Sequence, residues 1–377
     1  IAYDSAVESF EPELQRFNDD TRKAAIGFVE GIFAGGSTNI DGALQAALGQ
    51  LPDDSNPNYV VFMTDGLPTA GEKNEAKIVE NATQRNQGRT RVFSFGVGFD
   101  VNSRLLDKLS RNCFGQSQYV RPNEDIEAHV SRLYERIGAP VMTDLAITFD
   151  MENLPTEEGK LTNRIYPRDH YDLFAGDQLV LVGRYKSGGD AKITVRGKVG
   201  GKKQKVSFPA KFVAKSNDET NAFIEKLWAM RRVGEIIDEI DLHGKNQELI
   251  DELVAISTRH GIITPYTSFL ADENANVRDL AISSRRAGVA LEALNEAGGR
   301  GGFLQREYKA QLQRSVQATP AADSYAGGGL GGYPAGSAPT PFPGLPGGAR
   351  GNAGATAGPG ATPLAAQPGN VRFRTIE

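Results

Sequence analysis

The chain has 377 residues, of which 39% are hydrophobic and 24% charged, and its net charge is −5. This balance is typical of a globular protein of two or three domains, and the acidic net charge gives no electrostatic case for nucleic-acid binding. The single Cys113 excludes a disulfide within the chain, and the four histidines lack the spacing of a zinc site. No uninterrupted apolar run is long enough to span a bilayer.

Residues 1–140 alternate between strand and helix signals. Two short apolar runs, "NYVVFMTDG" (58–66) and "TRVFSFGVG" (90–98), are typical of strands buried on both faces of a parallel sheet. Amphipathic helices are predicted between and around them in "DDTRKAAIGFVEGIF", "NEAKIVENATQRNQ", "VNSRLLDKLSRN" and "NEDIEAHVSRLYERIG". The alternation predicts an α/β domain with helices covering both faces of the sheet.

The sequence pattern changes after Pro140, again after residue 215 and again after residue 314. Residues 141–215 contain short alternating runs separated by glycine pairs, which predict a small antiparallel β domain. Residues 216–314 have helical periodicity, beginning with a helical hairpin that breaks at Gly244. Residues 315–377 are rich in Gly, Pro and Ala and cannot bury enough apolar surface, so we predict a disordered tail.

Some single features within these regions favour structural interpretations. The pairs Arg231–Arg232 and Arg285–Arg286 are predicted to lie on solvated helix surfaces. Trp228 stands at helical spacing with apolar residues and is predicted to belong to the core. The glycosylation sequon at Asn81 falls on a predicted helix and is interpreted as a chance match. The hairpin "GKVGGKKQK" is predicted to present basic residues to solvent, where it could meet an acidic surface.

Two polar turns could supply oxygen ligands to a metal ion. Asp65 follows an apolar strand, at the edge of the sheet where open α/β folds bind ligands. Thr38 offers a hydroxyl from the glycine-rich turn in "IFAGGSTNIDGALQAAL". Mg²⁺ prefers oxygen ligands of this kind. Local spacing alone leaves open the alternative that Asp65 closes a turn and Thr38 caps the following helix.

These segments resemble a known family. "GGSTNIDGAL", "VVFMTDGLPT" and "RVFSFGVG" are similar to a von Willebrand factor A domain, and the later segments, including "LWAMRRVGEIIDEIDLHGKNQELIDELVAISTRHGIITPYTSFL", resemble inter-alpha-trypsin inhibitor heavy chains. The resemblance implies a partial doubly wound, Rossmann-like sheet. It also implies that Thr38 and Asp65 belong to a metal-ion-dependent adhesion site. Such a site would hold Mg²⁺ or Mn²⁺ and capture an Asp or Glu carboxylate of a protein partner.

One element of the resembling family's site is absent from this sequence. No Asp begins an Asp-x-Ser-x-Ser pattern, and "DSAVES" at Asp4 has the wrong spacing. The resemblance aligns "IAYDSAVESF" with the second strand, so we expect the first strand, its metal loop and a VIT domain upstream of Ile1. The start without Met and without a signal-peptide pattern fits that expectation. We therefore expect metal binding in the full-length protein and weak or absent binding in this fragment.

The leading functional hypothesis is a non-enzymatic protein-binding or adhesion module, with an extracellular, periplasmic or cell-surface location favoured. The alternative is a regulatory or chaperone-like subunit of an intracellular multi-protein complex, since some A domains serve there. No phosphate-loop pattern is present to support an associated ATPase. A hydrolase would rest on the α/β fold alone, which determines no chemistry. The chain also contains no Asp-Pro dipeptide, so the ester linkage to a glycosaminoglycan found in the resembling vertebrate proteins is not supported.

Overall fold

The computed structural model describes residues 1–51, 57–138, 140–151, 161–168, 172–175, 177–214, 221–271 and 279–316. The first part of the chain contains two short strands followed by helices and strands in alternation. These elements are β1 (Ala2–Tyr3), β2 (Val7–Glu8), α1 (Asp19–Glu30), α2 (Ile40–Gly49), β3 (Tyr59–Thr64), α3 (Glu75–Arg85), β4 (Arg91–Val97), α4 (Ser103–Asn112), β5 (Ser117–Val120) and α5 (Ile126–Ile137).

Strands β3, β4 and β5 form a parallel sheet with β4 in the centre. Val92 of β4 packs into a core that includes Leu105 of α4, whereas Phe93 and Phe95 pack with Leu133 of α5. Successive side chains of a strand point to opposite faces, so helices cover both sides of the sheet. The predicted doubly wound α/β arrangement is confirmed. Strands β1 and β2 form a separate antiparallel pair.

Helices α1 and α2 differ in how they pack. Helix α1 begins with a capping box between Asn18 and Thr21, but none of its residues is buried. Phe28 of α1 packs against Phe10, with ring centroids 5.7 Å apart. In contrast, α2 buries Ile40 and Leu44 completely against the sheet. The spacing of apolar residues correctly predicts that α1 is helical. The buried contacts with the core, however, come from α2.

The second part of the chain is antiparallel, as the alternating runs predict. Its strands are β6 (Pro140–Met151), β7 (Thr162–Tyr166), β8 (Asp172–Phe174), β9 (Val182–Tyr185), β10 (Gly189–Val199) and β11 (Lys202–Phe212). The larger sheet has the order β11-β10-β6-β8, and β7 pairs with β9. Gly200 and Gly201 connect β10 to β11 with φ values of +54° and +77°, as a two-residue hairpin turn requires.

The third part is helical, and its central helix is long and buried. It comprises α6 (Ala222–His243), α7 (Gln247–His260), α8 (Leu280–Ala290) and α9 (Gly299–Arg314), with short 3₁₀ turns at Ser268–Ala271 and Leu291–Asn295. Val233 and Ile237 of α6 share one core with Leu253 of α7 and Leu312 of α9. The predicted hairpin of α6 and α7, with its break at Gly244, is confirmed.

Ionic and hydrogen-bonded contacts join the three parts. Arg91 of β4 donates to both carboxylate oxygens of Asp172 at 2.8 Å and to Asp144 at 2.8 Å, which ties the parallel sheet to the antiparallel one. Ser103 at the start of α4 donates from its amide and its hydroxyl to the carbonyl of Ala297, at 3.0 and 2.8 Å.

Two sequence-based expectations concern membrane spans and the tail. Within the described ranges, no helix combines the length and the apolar character needed to cross a membrane. The predicted disordered tail lies outside the described residues, apart from Ser315 and Val316.

Candidate metal and partner-binding site

The glycine-rich turn before α2 lies against the N-terminal segment. Gly36 has a φ of +77°, which favours glycine, and a Cβ there would lie 2.9 Å from Oδ2 of Asp4. The amide of Ser37 donates to the hydroxyl of Ser5 at 2.9 Å. The amide of Asn39 donates to the carbonyl of Asp4 at 2.8 Å. These contacts hold the turn in one position before the chain enters α2.

Asn39 anchors both the start of α2 and a neighbouring loop. Its side-chain oxygen accepts a hydrogen bond from the amide of Gly42 at 3.0 Å, which is the N-cap interaction of the helix. Gly71 approaches the same side chain with a φ of +63°, and a Cβ there would overlap the Asn39 amide group. The cap is therefore supplied by Asn39, and the hydroxyl of Thr38 is not needed for it.

Asp65 lies at the carboxyl end of β3, where the sequence places it. Thr64 is buried, whereas Asp65 is exposed to solvent. Nearby, the Tyr3 hydroxyl donates to the carbonyl of Met63 at 2.9 Å. Burial raises the pKa of Tyr3 to about 12, and the negative charge of Asp65 acts in the same direction. An exposed carboxylate at this edge of a parallel sheet stands where such sheets bind ligands.

The structure brings Thr38 against the loop that Asp65 begins. The amide of Thr38 donates to the hydroxyl of Thr69 at 2.7 Å. Its carbonyl accepts from the amides of Thr69 and Ala70 at 3.0 and 3.1 Å. Its hydroxyl oxygen lies 3.4 Å from the point where a Cβ on Gly66 would stand. Three hydrogen bonds therefore hold the two loops side by side.

Two residues at this site escaped sequence reasoning. The segment "DSAVES" lacks the Asp-x-Ser-x-Ser spacing, yet Asp4 and Ser5 both contact the glycine-rich turn. One oxygen of Asp4 accepts from the amide of Ala6 at 2.7 Å, inside its own turn. No local pattern in the sequence links residues 4–5 to residues 36–39, because the two segments meet only after folding.

The donor atoms available at this site are of the type that a hard cation prefers. The Asp65 carboxylate and the Thr38 hydroxyl are oxygen donors, and Mg²⁺ takes about six oxygen ligands, several of them water. Among the residues that the structure describes, no group of three or more His, Cys, Asp or Glu side chains is arranged to hold a metal ion. The two residues therefore fit the ion's chemistry but supply a minority of its ligands. Their role as metal ligands stays a prediction.

The prediction for one arginine pair is wrong. Arg231 and Arg232 are 3% and 5% exposed and lie in the interior, not on a solvated helix surface. The guanidinium of Arg231 donates to the carbonyls of Tyr166 and Ser315 at 2.9 Å, and its burial lowers its pKa to about 10. Arg232 pairs through two nitrogens with Glu252. Helical position alone did not reveal that strands and α9 pack on this side of α6.

Arg285–Arg286 and Trp228 agree with their structural interpretations, and Asn81 lies on a helix as predicted, whereas its interpretation as a chance sequon stays a prediction. Arg285 and Arg286 are exposed. Trp228 packs partly buried against the helical core, and its indole N–H donates to the carbonyl of Arg164 at 3.0 Å. Asn81 lies on α3, where its side chain donates to Asp41 at 3.1 Å.

Residues 1–119 match the von Willebrand factor type A domain family. The human inter-alpha-trypsin inhibitor heavy chain H4 is 27% identical over 292 residues, which cover 72% of this chain and 30% of the relative. The pig heavy chain H2 is 24% identical over 269 residues, which cover 66% of this chain and 28% of the relative. The chain thus spans about 30% of the length of the relatives it matches.

A solved structure of a von Willebrand factor type A protein from Catenulispora acidiphila also matches. Its sequence is 16% identical to this chain, the match covers 81% of this chain and 76% of the solved chain, and the TM-score is 0.47. The parallel sheet observed here lies within the matched residues 1–119, and the heavy-chain similarity extends well beyond them. Residues 1–119 thus form a von Willebrand factor type A domain, and the chain as a whole is similar to inter-alpha-trypsin inhibitor heavy chains.

Proposed function

We propose that this chain is part of a non-enzymatic protein-interaction module that captures an acidic group of its partner through a divalent metal ion. The observation that carries the proposal is the contact between two loops, in which the Thr38 backbone is hydrogen-bonded to Thr69 and Ala70, just after Asp65. This contact supports a shared role for Thr38 and Asp65. These hydrogen bonds involve the backbone of Thr38 and not its hydroxyl, which we propose as a metal ligand.

The Asp65 carboxylate and the Thr38 hydroxyl would hold Mg²⁺ or Mn²⁺. The bound ion would offer a positive centre with an open position, and a partner's Asp or Glu carboxylate could fill that position. Asp65 would supply the negative charge of the site, and Thr38 a neutral oxygen that leaves the ion with residual positive charge. We propose that the remaining ligands come from residues upstream of Ile1, as the family resemblance implies.

We also propose the division of the chain into units at about residues 140, 215 and 314. The change from parallel to antiparallel pairing after residue 140 supports the first division. An extracellular, periplasmic or cell-surface location is part of the same proposal. The partner would be a protein that presents an Asp or Glu side chain.

Titration with Mn²⁺, followed by the loss of the paramagnetic resonance signal of the free ion, tests the metal site. The chain of residues 1–377 and the protein extended upstream of Ile1 are compared, each with the variants Thr38→Ala and Asp65→Asn. Asp20→Asn, an exposed carboxylate on α1, is the matched control. We expect tighter binding in the extended protein, and losses with Thr38→Ala and Asp65→Asn but not with the control. Equal binding by the extended protein and its Asp65→Asn variant would overturn the proposal.

A further inference from the structure

The antiparallel sheet carries a concentration of positive charge that contrasts with the acidic net charge of the chain. Residues 191–217 contain eight lysine or arginine residues and no aspartate or glutamate. The eight are Lys192, Arg196, Lys198, Lys202, Lys203, Lys205, Lys211 and Lys215. Most of this stretch forms the hairpin of β10 and β11.

The register of the hairpin places four of these cations on one face. Arg196 of β10 is directly opposite Lys205 of β11, and Lys198 is directly opposite Lys203. Residues two apart on a strand and directly opposite residues share a face of a sheet. The four side chains line one surface groove of about 340 Å³, together with Asp144. The hairpin therefore forms a two-by-two grid of positive charge, which we call the basic groove.

The groove lacks enough negative charge of its own. Asp144 is the one carboxylate among its described lining residues, and it already contacts Lys198 at 2.9 Å and Arg91 at 2.8 Å. Arg196, Lys203 and Lys205 are exposed to solvent. Like charges directly opposite each other on two strands are unfavourable. The two like-charged pairs thus leave an uncompensated positive potential in the groove.

Protection of a sheet edge explains only part of this arrangement. Within the described part of the chain, β11 is an edge strand of its sheet, and lysines on edge strands discourage unwanted pairing between sheets. Arg196 and Lys198, however, lie on β10, which is covered by β11 on one side and by β6 on the other. An inner strand has no edge to protect, so edge protection does not account for these two cations: Lys198 pairs with Asp144, whereas Arg196 is exposed on the same face.

The other face of the hairpin is partly apolar. Val206 is 44% exposed and stands directly opposite Val195, and Val199 is 41% exposed. A strand added alongside β11 would continue both faces of the sheet, the basic one and the apolar one. Its side chains would then need to alternate between acidic residues, next to Lys203 and Lys205, and apolar residues, next to Val206.

We propose that the β11 edge and the basic groove bind an extended peptide segment of a protein partner with acidic and apolar residues in alternation. The peptide backbone would pair with the edge of β11 beside Lys203 and Lys205, which is the strand-addition mode of recognition. Its carboxylates would neutralise the charge of the basic groove. This surface is separate from the loops of Thr38 and Asp65, and binding here requires no metal ion.

Fluorescence anisotropy with labelled synthetic peptides tests the proposal. The probe alternates Glu and Val, and a second peptide has the same composition with its Glu residues in one block. A third carries N-methyl groups on the amides that would pair with β11. We expect the alternating peptide to bind at least about tenfold more tightly than either control peptide, because only it combines backbone pairing with charge complementarity.

Protein variants test the residues. The double variant Lys203→Glu with Lys205→Glu should weaken binding by about tenfold or more, because it replaces two positive charges with negative ones. Arg196→Gln should weaken binding by less, because it only removes one positive charge. Lys23→Glu with Lys73→Glu, two exposed lysines elsewhere, produces the same change in net charge and should leave binding unchanged. Circular dichroism confirms that each variant is folded.

Three results would overturn the proposal. Equal binding of the alternating, blocked and N-methylated peptides would show simple charge attraction without strand addition. Tighter binding of a sulfated oligosaccharide than of any peptide, abolished by the Lys203 and Lys205 changes, would assign the groove to a polysaccharide. Self-association of the chain that depends on these lysines would assign the edge to a second copy.

Discussion

The ammonium group of Lys309 lies 2.7 Å from the carboxylate of Asp107, and these side chains are only 2% and 11% exposed. Lys309 belongs to α9 and Asp107 to α4, so this contact joins the helical part of the chain to the parallel-sheet part. Lys309 also contacts Asp238 at 2.7 Å and Asp241 at 3.3 Å on α6. Arg306 contacts Asp241 at 2.7 Å from the same side of α9. One buried ionic cluster therefore connects three helices.

Replacement of Lys309 by methionine should strongly destabilise the protein. The variant removes the cation that Asp107, Asp238 and Asp241 share. Arg111 and Arg306 still pair with Asp238 and Asp241, but Asp107 loses its ion pair, and breaking a buried ion pair costs about 3–5 kcal/mol. Urea unfolding followed by circular dichroism measures the loss. Lys245→Met is the matched control, because the Lys245–Glu292 pair is 36% and 66% exposed and should contribute under about 1 kcal/mol. Equal losses in the two variants would contradict the importance of the cluster.

Acid should weaken the same cluster. Burial alone would raise the pKa of Asp107, but Lys309 and the hydroxyl groups of Ser117 and Tyr119 hold that pKa below its usual range. A carboxyl group whose pKa is lower in the folded state stabilises that state above its unfolded pKa of about 3.9. This stabilisation is lost as the pH falls from there through the folded-state pKa. Urea unfolding across this acid range should show a steeper loss for the natural protein than for Asp107→Asn, and parallel curves would contradict the prediction.

Cys113 should be unreactive in the native protein. It is the one cysteine of the chain and is completely buried, and burial raises its pKa to about 11. Since the thiolate is the reactive form, a thiol reagent at pH 8 should label almost none of the folded protein. Labelling in urea should reach one thiol per chain. Rapid labelling without denaturant would show that α4 opens readily at its C-terminal end.

Two glycine substitutions should have opposite effects. Gly115 is buried beside β4, where a Cβ would overlap the carbonyl of Val92, so Gly115→Ala must displace backbone and should cost more than about 3 kcal/mol. Gly27 lies inside α1 with no atom within 4 Å of an added Cβ. Gly27→Ala should therefore stabilise the protein by about 0.5–1 kcal/mol, because alanine favours the helix. Thermal unfolding of both variants checks the signs, and a loss with Gly27→Ala would indicate that the surface of α1 is covered in solution.

Local sequence patterns predict a helix or strand correctly where the spacing of its apolar residues matches the faces that the element buries. Val92, Phe93 and Phe95 of β4 are buried on both faces, which is why their continuous apolar run identifies a central parallel strand. The turn at Gly200–Gly201 was predictable because only glycine adopts both of its φ values readily. The burial of Arg231 was not predictable, since it depends on the carbonyls of Tyr166 and Ser315, which are distant in sequence.

By itself, the sequence determined the succession of a parallel sheet, an antiparallel sheet and helices, and it identified Thr38 and Asp65 as candidate ligands. Periodicity and turn residues act over a few positions, so they can be read along the chain. Tertiary structure alone decided that the Thr38 turn contacts Asp4, that four cations share the basic groove, and that Lys309 joins α9 to Asp107. These contacts unite residues far apart in sequence, and packing selects them only when the whole fold is formed.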